Sequence, residues 1–87
     1  MKLVHFERLG GYLFRLGFAN GEYLVSDLEE LIGKHVAPEG LSTARLDGGW
    51  GCLEFDGGRV DIEPKTLYRY AKSHPAGEVE REPKIAA

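Results

Sequence analysis

The sequence predicts an α+β domain: an antiparallel sheet of five or six strands with two short helices packed on one face. Three observations carry this. The stretch YLFRLGFANGEYLVS alternates about an Asn-Gly pair. A later stretch, from Thr43 to Ile62, breaks into three short apolar runs joined by Gly-Gly pairs. Two helix-start signals, at Ser26-Asp27-Leu28-Glu29 and at Glu63-Pro64, each precede apolar residues at helical spacing.

Each element has its own justification. Leu3-Val4-His5-Phe6 is a short strand, with Gly10-Gly11 as its turn. Tyr12, Phe14, Leu16 and Phe18 share one face of the next strand, with Arg15 on the other. Asn20-Gly21 supplies the two left-handed residues of a type I′ turn. That turn sets Phe18 opposite Tyr23 and Leu16 opposite Val25. Ser26 to Glu29 reads as a capping box, with Leu28, Leu31 and Ile32 on one helical face and Gly33 as the stop. So short a helix holds only when packed on the sheet. HVAPEGLS reads as a loop.

Thr43 to Asp47, Trp50 to Asp56 and Arg59 to Ile62 then form a three-strand meander. Its glycine turns put Ala44, Leu46, Leu53, Phe55, Val60 and Ile62 on one face, with Phe55 opposite Val60. Arg45, Cys52, Glu54 and Asp61 take the other. Two independent turns giving one apolar face make the pattern self-consistent. Pro64 suits the first position of a second helix, because its missing N–H is not needed there. Ile62 and Leu67 form a hydrophobic staple across that start, and Leu67, Tyr70 and Ala71 share the buried face. From His74 to residue 87 the chain carries two prolines, a glycine, alternating charges and little apolar content, so the expectation is one domain over 1–73 and a disordered polar tail over 74–87.

Composition excludes several classes of function. At 87 residues the chain holds one domain with a thin core. A net charge of -3, without a basic stripe, argues against direct nucleic-acid binding. Cys52 is the one cysteine, so no internal disulfide forms and a reducing, cytoplasmic setting fits. Glu7 and Arg8 interrupt the first apolar run, which excludes a signal peptide or a membrane span there.

The order of elements resembles a known family. Phe18, Asn20-Gly21, Val25, Asp27-Leu28, Leu31, Gly58, Asp61, Ile62, Pro64 and Leu67-Tyr68 carry the resemblance, which spans Tyr12 to Tyr70. The chain is similar to the short bacterial domain of unknown function numbered twenty-four forty-two. Phe55 stands where the family usually has tryptophan, and the span from Phe55 to Asp61 is one residue longer. Some members carry a helix-turn-helix after the domain, and some are encoded beside another small protein in a toxin–antitoxin-like arrangement. The resemblance carries over no established activity and no catalytic residues.

The residues themselves offer little chemistry. His5, His35 and His74 are not spaced to serve Cys52 as a base or to ligate a metal with it. Asp56, Asp61 and Glu63 have the composition of an acid–base cluster, but a turn and a helix start account for all three. The Gly-rich stretches after Asp47 and Asp56 lack the Lys-Ser/Thr ending of a phosphate loop. Trp50 faces away from the Leu53/Phe55 row, and Tyr68 lies off the Leu67/Tyr70 face, so these two are the expected partner contacts. The reading is a non-enzymatic protein-binding or regulatory, antitoxin-like module. Its partner is another protein, with no direct nucleic acid, no membrane, no cofactor and no metal, and with homo-oligomerisation left open. The alternative is a small enzyme or ligand-binding protein using a cleft near Cys52 and Trp50.

Overall fold

The computed structural model describes residues 1–76. The strands are β1 (Leu3–Gly10), β2 (Leu13–Phe18), β3 (Tyr23–Asp27), β4 (Arg45–Asp47), β5 (Cys52–Phe55) and β6 (Val60–Ile62), and the helices are α1 (Glu29–Ile32) and α2 (Pro64–Ser73). The α+β class holds, but the single sheet of five or six strands does not. There are two antiparallel sheets of three strands each, β1-β2-β3 and β4-β5-β6. The reason lies in β1, the edge that would have to accept β4. Its register with β2 slips between Leu3 and His5 and again between Arg8 and Gly10. Such bulges leave a residue unpaired and break the ladder. Val4 and Leu9, the residues skipped, are both solvent-exposed. Between the sheets, Leu3 donates to the Gly51 carbonyl at 3.1 Å.

The inner faces of both sheets close on one core. Leu3, Phe14, Leu16 and Phe18 from the first sheet meet Leu53, Phe55 and Ile62 from the second, with Leu28, Ile32, Leu67 and Ala71 from the helical segments. Phe14 sets its ring edge-on to Phe55 at 6.1 Å and 89°. The supposed loop HVAPEGLS also enters the core. Val36 and Leu41 are fully buried, and Pro38–Thr43 winds as a 3-10 turn. Tyr12 Oη donates to the Val36 carbonyl at 2.7 Å.

The first hairpin differs from its expected form by one residue of register. Gly17 pairs with Tyr23, Leu16 with Leu24 and Arg15 with Val25. The loop has three residues, Ala19 to Gly21. Phe18 donates to Glu22 and Gly21 donates back to Phe18. Gly21 alone is left-handed here, at φ +91°. This is the three-residue hairpin in which a type I turn ends on a left-handed glycine. Asn20 favours it because its Oδ1 accepts from the Glu22 amide at 3.0 Å. The slip moves Tyr23 and Val25 to the outer face, and it brings Leu24 and Ser26 to the core side. On the outer face the Tyr23 ring lies over Gly17, where a Cβ would meet it at 2.8 Å.

Ser26 is therefore no helix cap. It is fully buried in β3, and its hydroxyl donates to the His74 carbonyl at 2.8 Å. Asp27 takes the capping role, with Oδ1 accepting from the Glu29 amide at 2.9 Å. Gly33 stays right-handed, and the chain winds on to Val36. The second sheet follows its predicted pattern: Leu46 pairs with Leu53, Leu53 with Ile62 and Phe55 with Val60. Pro64 opens α2, as expected, and Leu67 and Ala71 are its buried residues. Of the segment expected as a tail, residues 74–76 pair against β3. Pro75 bridges Ser26, and Ala76 donates to Val25 at 2.7 Å. The rest, 77–87, lies outside the described residues.

The left-handed Gly21 gives a direct test of the three-residue loop. A Cβ there meets no atom within 4 Å, so the cost of substitution is backbone strain alone. Gly21→Val should destabilise the protein by about 1 kcal/mol or more. Asn20→Gly, which a type I′ turn would welcome, should instead be destabilising through loss of the Glu22 amide bond. The denaturant midpoints of the two variants check this.

Candidate functional site

The second sheet has an outer face, which carries Arg45, Asp47, Cys52, Glu54 and Asp61. Beside it runs a groove of about 510 Å³, lined by Met1, Trp50, Cys52, Asp61, Glu63, Pro64 and Lys65. Local structure explains each wall. Asp47 Oδ1 accepts from Gly49, and Gly51 donates back to the Asp47 carbonyl at 2.7 Å, which closes the turn that presents Trp50. Gly51 is left-handed, at φ +74°, and packs against Lys2, where a Cβ would clash at 2.5 Å. This contact lays the start of the chain beside the turn and sets Met1 on the groove. Cys52 starts β5, Asp61 sits in β6, and Glu63 to Lys65 open α2.

Trp50 is 77% exposed and Met1 51%, while Cys52 is 9% exposed. Burial pushes the Cys52 thiol up, and the negative charges of Asp61, Asp47, Glu54 and Glu63 push it further. A thiol so placed is protonated at neutral pH and is a poor nucleophile. None of the three histidines lines the groove. His74 stacks on Tyr70 at 4.0 Å, and His5 lies beside Tyr23 on the outer face of the first sheet. Among the described residues no three His, Cys, Asp or Glu side chains gather as a metal ion would require.

The three carboxylates singled out in the sequence separate. Asp61 and Glu63 line the groove, while Asp56 belongs to the turn between β5 and β6. The Asp56 amide donates to Thr43 Oγ1 at 2.7 Å, and that hydroxyl donates to the Gly40 carbonyl at 2.6 Å. Asp56 is also left-handed, at φ +54°, a conformation aspartate tolerates better than most residues.

Trp50 and Tyr68 do not come together in one site. The Tyr68 ring meets Phe18 edge-on at 5.1 Å, and its hydroxyl donates to Glu22 Oε1. Lys72 Nζ reaches Glu22 Oε2 at 3.2 Å. Tyr68 thus ties α2 to the loop of the first hairpin. No local pattern signals this tie, because Glu22 and Tyr68 lie 46 residues apart. Met1 and Lys65 were likewise not anticipated as groove residues; neither carries a periodic pattern.

A second hollow of about 420 Å³ lies where α2 ends against β3 and α1, lined by Asp27, Glu29, Glu30, Tyr70, His74, Pro75 and Ala76. Burial and the neighbouring Glu30 and Asp27 push the Tyr70 hydroxyl up.

The Glu22 cluster is the clearest pH-sensitive element. Hydrogen bonds from Tyr68, then Asn20 and Lys72, hold the Glu22 carboxyl below its ordinary value. A carboxyl depressed by folding contributes stability above its unfolded pKa and loses it as pH falls through the folded value. Glu22→Gln should therefore lower the melting temperature at pH 7. The gap to the parent should close as pH falls below the ordinary glutamate range, where the depressed parent carboxyl protonates. Melting curves of both proteins across that range check it.

No curated protein and no solved structure matches the chain, and no helix among the described residues is long and apolar enough to cross a membrane. The sequence profile described as a protein of unknown function, DUF2442, matches residues 4–73, which run from β1 to the end of α2. That match covers both sheets and both helices, and the chain belongs to the DUF2442 family.

Proposed function

We propose that this chain is a non-enzymatic, protein-binding module of regulatory, antitoxin-like kind, acting in a bacterial cytoplasm. One observation carries the reading. Trp50, the largest side chain in the protein, is 77% exposed at the mouth of a groove, on a turn fixed by Asp47 and Gly51. A large apolar side chain held out on a braced turn has no folding role to explain it, and tryptophan is the residue most enriched among interface hot spots.

The sheet edges support the groove over strand addition as the means of binding. β1 is bulged twice, β3 is paired with Pro75 and Ala76, and β4 and β6 are three residues each. Bulges, covering segments and short length all blunt an edge against further pairing. The ligand-binding alternative draws support from Cys52 on the groove wall. Against its catalytic form stands the raised thiol, and no histidine is among the residues that line the groove.

Affinity capture with the 87-residue chain, read by mass spectrometry, identifies the partner. Binding of that partner to two variants then tests the reading. Trp50→Ala should weaken it by about 2 kcal/mol with the fold intact, and Cys52→Ser should change it little. Loss of binding in Cys52→Ser with retention in Trp50→Ala would overturn the adaptor reading in favour of thiol chemistry.

A further inference from the structure

The groove has a chemistry narrower than an apolar docking surface. Its aromatic wall is the exposed Trp50 indole. Asp61 and Glu63 also line it, and neither carboxylate makes a hydrogen bond or ion pair among the described residues. The described carboxylates Glu7, Glu22 and, across from Asp61, Glu54 are paired, with Arg15, Lys72 and Arg45, whereas Glu29, Glu30 and Glu39 also make no ion pair among the described residues. The Asp47 carboxylate, on the same outer face, accepts only from the Gly49 amide and adds a further unneutralised charge beside the groove. Lys65 is the cation among the lining side chains, so acids outnumber it there two to one. The Cys52 thiol completes the wall. It is over nine-tenths buried and has no hydrogen-bond partner among the described residues.

An indole face beside two carboxylates matches one kind of group. Planar cations stack on aromatic rings, and their donors satisfy carboxylates. A guanidinium does both at once, more fully than an ammonium, since it offers a flat face and a fork of N–H donors. An anionic or purely apolar occupant would leave Asp61 and Glu63 desolvated and unpaired, which is costly. We propose that the Trp50 groove receives an arginine side chain from a basic segment of a protein partner, stacked on Trp50 and bonded to Asp61 and Glu63. This rests on the protein-binding reading and names the chemistry of the partner.

The test is a titration of the ¹⁵N-labelled 87-residue protein with three probes: acetyl-Gly-Arg-Gly-amide, acetyl-Gly-Glu-Gly-amide and spermidine. The arginine peptide should shift the Trp50 indole N–H and the Cys52 and Lys65 amides saturably, and its affinity should fall at high salt. The glutamate peptide should shift none of them. Asp61→Asn with Glu63→Gln should weaken the arginine peptide about tenfold. Neither carboxylate makes a structural bond, so the melting temperature should fall by no more than the loss of charge at the start of α2 explains. No saturable shift with the arginine peptide, equal shifts with the glutamate peptide, or binding of spermidine alone would overturn the proposal. The captured partner separates this from the broader reading. If Trp50→Ala abolishes its capture and the carboxylate double variant does not, the module stands and the arginine inference falls.

Discussion

The edge-to-face contact of Phe14 with Phe55 is the interaction on which the rest of this fold depends. Each sheet has three short strands, and a sheet of that size has little stability without a hydrophobic face packed on something else. Phe14 lies near the start of the central strand of the first sheet. Phe55 ends the central strand of the second, and both are wholly buried. Joined there, the two inner faces become one core, and α2 closes it with Leu67 and Ala71. An aromatic pair of this geometry contributes about 0.5–1.5 kcal/mol beyond the area it buries. In so small a domain that is a large share of the margin.

Packing every inner-face residue against the other sheet leaves the outer face of the β4–β6 sheet without a covering layer of its own. What lies beside it is assembled from chain segments with other duties: the Asp47–Gly51 turn, the start of the chain and the first turn of α2. The groove is thus a by-product of how the second sheet is held. Its walls are fixed because turn, strand and helix start are fixed. The first sheet uses its outer face differently, with Tyr23 laid over Gly17 and Arg15 paired with Glu7.

The second sheet was readable from the sequence because its two glycine turns and its alternation agree, so a slip of one residue would have buried Glu54 and Asp61. The first hairpin was not, because Tyr23, Leu24 and Val25 are apolar in succession and either face of β3 satisfies the pattern. The choice fell to contacts no local window contains: Asn20 bonding the Glu22 amide, and Ser26 buried against the His74 carbonyl. The same burial removed Ser26 as a cap and passed that role to Asp27. The division into two sheets followed from bulges at Val4 and Leu9, which leave no compositional trace. Strand parity puts Trp50 and Cys52 off the core face, but Trp50 sits on the turn before β5 and Cys52 is buried. Met1 came to the groove through the Lys2–Gly51 contact, which only the folded chain reveals.

If Phe14 and Phe55 make the two sheets one cooperative unit, the sheets must open together. Native-state hydrogen exchange of the amides in β2 and β5, followed under increasing denaturant, measures this directly. The account predicts that the slowest amides of both strands converge on one opening free energy, equal to that of global unfolding. Opening of the β4–β6 sheet at a free energy lower by several kcal/mol, with β2 still protected, would contradict it.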